Sequence, residues 1–258
     1  MKPKAIISSL LLVLCTVFTA QAAYSAPERR FTYHESDGVY IYYETQNKDA
    51  YRKLLPKEFD MPDRLYVYSF ISDFYKMDAR TDPYKEASIF LLAKHNGREV
   101  WHCIFMPVTS EISRIMGVRR LGLPKTMGDI SLSRNDTKYL GTATPKEGGT
   151  MSLSVNTQDY KMSSDEENLI KSLSTLPKVN LLNGKAIEMS GGRTKNLLDI
   201  AKRFPKKLQL IPGKADITFQ AASGNSSSAS AHAFDLTPSK ILGGYYLLNK
   251  FTFQLGKK

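Results

Sequence analysis

Two apolar runs, residues 87–93 (Ala-Ser-Ile-Phe-Leu-Leu-Ala) and 99–106 (Glu-Val-Trp-His-Cys-Ile-Phe-Met), flank Asn96-Gly97. Asn-Gly takes the left-handed positions of a tight turn at little cost, so the two runs pair as an antiparallel hairpin. Similar β-branched or alternating runs recur at 39–45, 65–71, 128–133, 139–144, 151–155, 208–211, 215–220, 243–249 and 251–255. Helical spacing is confined to 48–55, to a run from Thr109 to Met116 that ends at Gly117, and to 163–173 behind Ser163 and acidic residues. Residues 193–204 suit either a helix or an irregular edge strand, and 23–36 read as a polar arm. With no repeat and no dividing linker, the pattern predicts one mostly β (α+β) domain with a few inserted helices.

The N-terminus is basic at Lys2 and Lys4, apolar from Ala5 to Phe18, and closes on Ala20-Gln21-Ala22. Those are the three zones of a secretory signal peptide, so residues 1–22 are expected to be removed on export to the periplasm or medium. The run is too short for a stable membrane span, and Leu14 before Cys15 does not suit a lipid-modified cysteine. Of 36 basic residues, 34 remain after Lys2 and Lys4 are lost, against 25 acidic ones, a net +9 for residues 23–258. That charge is spread along the chain without aromatic-basic interleaving, which argues against nucleic acid and suits anionic small molecules or envelope polymers. Only Cys103 survives cleavage, so a packed core rather than a disulfide must hold the domain.

The four histidines, His34, His95, His102 and His232, lack metal-ligand spacing, and one thiol cannot form a cysteine zinc site. There is no G-x-S-x-G elbow, phosphate loop or dinucleotide fingerprint. The Ser-rich run at 224–230 reads as a loop. What remains is Gly117-Val-Arg-Arg-Leu-Gly-Leu-Pro-Lys-Thr126, which sets Lys125 behind a glycine- and proline-rich turn. A lysine becomes a nucleophile where burial or a second cation lets its ammonium lose a proton near neutral pH. Leu121 and Leu123 offer burial; Arg119 and Arg120 offer charge. Glu86, opening the first strand of the hairpin after Pro83-Tyr84-Lys85, is the acid placed to reach it.

The order Tyr84-x-Glu86, a hairpin about Gly97, then Gly117-x-x-x-x-Gly122-x-Pro124-Lys125 resembles the acetoacetate decarboxylase family. Residues 51–56, Leu176-Pro177 with Asn180 and Gly184, and 236–245 are similar to its flanking segments, so the resemblance covers roughly residues 31–257. It implies a β-barrel-like cone around an apolar cavity, assembled as a homo-oligomer, with no metal or organic cofactor. It further implies that Lys125 forms a Schiff base with a β-keto acid or related carbonyl compound, and that Glu86 assists. Arg119, Arg120 and Leu123 are the expected substrate contacts.

Three positions depart from the family pattern. Thr126 stands where a second lysine usually follows the first, Val118-Arg119 replace Arg-Glu, and Asp37-Gly38 occupy the register of an arginine expected to meet the substrate carboxylate. They leave open a different class of function, a binding module that holds an apolar or carbonyl ligand without turning it over.

Overall fold

The computed structural model describes residues 31–78, 82–190, 196–221 and 232–257. The expected leader and the Ser-rich run lie outside them. In chain order the elements are β1 (Phe31–Glu44), α1 (Lys48–Leu54), β2 (Tyr66–Met77), β3 (Tyr84–His95), β4 (Arg98–Val108), α2 (Glu111–Leu121), β5 (Lys125–Asn135), β6 (Lys138–Pro145) and β7 (Thr150–Asn156). They continue with α3 (Ser164–Ser174), β8 (Val179–Leu182), β9 (Lys185–Ser190), α4 (Leu197–Arg203), β10 (Leu208–Pro212), β11 (Lys214–Gln220), β12 (Lys240–Asn249) and β13 (Phe253–Lys257).

The strands join edge to edge in the order β11-β7-β6-β5-β4-β3-β2-β1-β13-β9-β8. The long β1 splits its outer edge, pairing β12 along Ser36–Glu44 and β13 along Phe31–Tyr33. At the far end the chain curls back to β4, where Trp101 bridges Lys178 and the Trp101 N–H donates to the Pro177 carbonyl at 2.8 Å. The strand path therefore runs from β11 to β8 as an open cone, not a closed barrel, with the β8 end tied back to β4 by the isolated Trp101–Lys178 bridge.

Strands β1 to β4 are buried on both faces, which is why they read as continuous apolar runs. Val39, Ile41, Ile71 and Ile89 enter one core; Tyr42, Tyr68, Phe90 and Trp101 enter the other, inside the cone. Each such side chain contributes about 1.5–3 kcal/mol on burial before chain entropy is subtracted. A register shift opposite Ile89/Phe90 lets Cys103 and Met106 both face the inner core although their spacing is odd.

The hairpin at Asn96-Gly97, the β5–β6–β7 meander and the helix behind Ser163 form as expected, the last with a full Ser163/Glu166 capping box. Three expectations are corrected and one open reading is resolved. Residues 31–36 are strand rather than arm, because Tyr33 and Ser36 bury their side chains against β12 and β13 partners. Ser110, not Thr109, caps α2; the Thr109 hydroxyl instead accepts from the Lys85 N–H at 2.9 Å. Helix α2 runs through Gly117 to Leu121 and is closed by Gly122 in the left-handed conformation. The ambiguous 193–204 run contains the helix α4, and a second Asn-Gly turn at 183–184 joins β8 to β9.

Candidate active site

Lys125 owes its position to a crossover. Strands β4 and β5 are parallel, so the chain between them must travel back along the sheet, and α2 makes that return. Gly122 ends the helix with φ 59°, where a side chain would also collide with the Leu181 carbonyl. Leu123-Pro124 then delivers Lys125 to the first position of β5, opposite Met106. On the next strand but one, Glu86 stands opposite Val108, on the same inward face.

The Lys125 Nζ donates to the Glu86 Oε2 at 2.6 Å and to the Ser113 Oγ at 2.9 Å. Side-chain exposure is 5 % for the lysine and 9 % for the glutamate, so solvent screens the pair little. The Tyr84 hydroxyl donates to the same Oε2 at 3.3 Å and lies 3.0 Å from the Tyr33 hydroxyl. Burial, and then the Glu86 charge, push both phenols far above their ordinary range, so they stay protonated and act as donors. Glu86 is thus a carboxylate held by an ammonium and a phenol, at a distance that allows a proton to pass between Nζ and Oε2.

This cluster lies in the wall of a cavity of about 190 Å³. Most of the remaining lining is apolar, including Tyr42, Tyr68, Phe70, Phe90, Trp101 and Leu123. Helix α3 covers one end, where its Leu173 carbonyl accepts from the Trp101 indole N–H at 2.9 Å.

Of the residues singled out in the sequence, Lys125, Glu86 and Leu123 meet at this cavity. Arg119 and Arg120 do not line it; they are exposed on the last turn of α2, whose buried stripe is Ser113, Gly117 and Leu121. They therefore supply no direct substrate contact there. Asp37 points to the other side of the sheet, bound by Arg134 and by the Tyr246 hydroxyl. Burial pushes the Cys103 thiol far up, which suits an inert core residue.

Ser113 and Lys178 also line the cavity, and the sequence reading does not single them out. Ser113, Gly117 and Leu121 recur every fourth residue, the signature of one helix face, and that spacing marks Ser113 as inward. Lys178 lines the cavity from the bridge to Trp101 just before β8, and no local pattern points to it. Among the described residues, no group of three His, Cys, Asp or Glu side chains is placed to hold a metal ion.

Fold and site define a class: a mostly β cone whose apolar cavity presents one buried lysine against one buried glutamate. The chain belongs to the acetoacetate decarboxylase (ADC) family, whose profile matches residues 17–258. An acetoacetate decarboxylase from Legionella pneumophila is similar in structure, with a TM-score of 0.64 at 14% identity over 98% of this chain and 97% of that one. The enduracididine biosynthesis enzyme MppR, complexed with pyruvate, has a TM-score of 0.59 at 16% identity over 93% of each chain. An acetoacetate decarboxylase-like enzyme from Sphingomonas wittichii RW1 gives 0.56 at 18% identity, covering 88% of this chain and 91% of that one. Such identities establish the shared fold alone. No curated protein matches the chain.

Proposed function

We propose that the protein is an exported lyase that decarboxylates a β-keto acid, or a related carbonyl compound, through a Schiff base on Lys125. The observation carrying this reading is the 2.6 Å contact between Nζ and the Glu86 carboxylate inside an apolar cavity. Transfer of one proton along that contact leaves an amine beside a carboxylic acid. The amine attacks the substrate carbonyl carbon, forming the C–N bond, and one proton passes from the nitrogen to the oxygen; Glu86 returns the second proton to that oxygen, which leaves as water. The resulting iminium keeps Glu86 as its counter-charge. When the adjacent C–C bond breaks, its electron pair moves into the enamine and CO₂ departs. Protonation at carbon and hydrolysis then restore the Lys125 ammonium and release the ketone.

A second reading, a binder without turnover, draws on the same geometry: Glu86 and Ser113 together hold the ammonium in a form that does not attack carbonyls. Borohydride reduction in the presence of a panel of β-keto acids and aldehydes separates the two. Peptide mapping is expected to find reduced adducts on Lys125, and a folded protein unmodified there by every carbonyl would leave only the binder. Export is part of the proposal and rests on the leader pattern of residues 1–22. N-terminal sequencing of protein from the periplasm or medium should begin at Ala23.

A further inference from the structure

We infer that the substrate of this site is an aromatic carbonyl compound, and that Phe70 is the residue that selects its ring. The carbonyl end rests on the Schiff-base reading; the ring end does not. Strand register sets the layout. On the inward face Ser72 pairs with Glu86, and one pair along, Phe70 stands opposite Ser88 on β3 and Tyr40 on β1. The next pair joins Tyr68 to Phe90 and to Tyr42. Neighbouring pairs are two residues of strand apart, about 7 Å. The row of Phe70 and Tyr40 is therefore the first aromatic step beyond Glu86 in that direction.

These rings pave one wall of the cavity. Tyr40 stacks on Phe70 with centroids 5.4 Å apart, and Tyr42 on Tyr68 at 4.7 Å. The Lys178 Nζ lies 5.8 Å from the centroids of both Tyr68 and Phe90, so a cation already attends the second row. On the other side of Glu86, Tyr33 stacks on Phe253 at 4.7 Å and meets Phe74 edge-on at 4.9 Å, forming the wall there. The helices contribute aliphatic lining, Leu121 from α2 and Leu173 from α3, with Gly117 bare between. A slot with rings on one side and aliphatic side chains on the other fits a flat ring joined to the reacting carbonyl directly or through a short link. A cavity of about 150 Å³ holds benzene, so about 190 Å³ takes one ring with a short chain.

The test uses amides, whose carbonyl does not condense with a lysine at neutral pH. Trp101 is the chain's single tryptophan and lines the cavity, so its fluorescence reports occupancy. The protein is titrated with 3-phenylpropanamide and with 3-cyclohexylpropanamide. The phenyl compound should bind about two- to tenfold tighter, the range that one aromatic contact adds beyond buried area. Burial alone gives the reverse order, because the saturated ring is larger and more apolar. Phe70→Leu should remove the preference, and Phe204→Leu, at an exposed ring that does not line the cavity, should keep it. Equal or tighter binding of the saturated amide, binding of neither, or an unchanged preference in folded F70L overturns the inference. The order in the unaltered protein decides alone if F70L does not fold. A protein that prefers the phenyl amide but fails borohydride trapping loses the Schiff-base reading and keeps the aromatic slot. One that is trapped by keto acids but prefers the saturated ring does the opposite.

Discussion

Gly117 lies against the stem of Lys125: a Cβ at this glycine would stand 2.5 Å from the lysine Cδ and 2.7 Å from its Cε. A glycine in a helix interior normally costs about 1 kcal/mol relative to alanine. Here the missing methyl is the channel through which the lysine chain passes to Glu86. Gly117→Ala should therefore fold with no gain in stability, since the helix propensity gained is offset by displacing a buried lysine from its contact with Glu86. Its rate of borohydride trapping should fall by about tenfold or more, the consequence of losing about 1.4 kcal/mol of alignment. Trapping at the original rate would show that the stem does not need this space.

The Lys125–Glu86 pair predicts a specific pattern of stability. Removing one partner from a buried ion pair leaves an uncompensated charge and costs about 3–5 kcal/mol, whereas removing both leaves none. Lys125→Met and Glu86→Gln should each destabilise strongly in urea. The double variant should lose clearly less than the two single losses added together. Additive losses would mean that the two side chains are not coupled in solution.

These residues also show what local sequence chemistry conveys. The Asn96-Gly97 turn, the Ser163 cap and the β5–β7 alternation are decided by neighbours in the chain, and they are legible. Asn183-Gly184 is the same turn signal, but its flanking runs are short and partly polar, so the β8–β9 hairpin does not stand out. Lys125 and Glu86 are legible because their order and spacing carry a family pattern. Ser113 becomes visible only once α2 is known to continue past Gly117. Lys178 reaches the cavity through the return of the chain to Trp101, a contact 77 residues distant in sequence, which no periodicity encodes. Arg119 and Arg120 misled for the same reason: closeness to Lys125 in sequence placed them on the wrong side of a helix.

His102 supplies a pH prediction away from the cavity. Its ring rests 4.4 Å from that of Phe59, and Nδ1 donates to the Val179 carbonyl at 3.0 Å. Burial holds the imidazole below its ordinary value of 6.5, so the folded protein keeps it neutral. The unfolded chain takes up the proton first as pH falls. The histidine's contribution is therefore complete above pH 6.5 and is lost progressively below it. His102→Asn retains a donor and removes the titration. Between pH 6.5 and 5 its stability should fall less steeply than that of the unaltered protein, by at most about 1.4 kcal/mol per pH unit. Parallel urea-denaturation curves across that window would exclude His102 as an acid-sensitive group.

The last prediction concerns Thr126, where the family usually carries a second lysine. Thr126 follows Lys125 on β5, and successive side chains of a strand take opposite faces. Lys125 lines the cavity and Thr126 does not. A lysine at 126 would thus begin on the outer face, with the sheet between its stem and the Lys125 ammonium. What surrounds Lys125 is supplied instead by burial, by Glu86 and by Ser113. Thr126→Lys should change the trapping rate at Lys125 by much less than about tenfold, the factor that 1.4 kcal/mol of differential interaction would produce. An acceleration of that size or greater would assign the activation of Lys125 to a neighbouring positive charge, and this protein would then lack a part its relatives use.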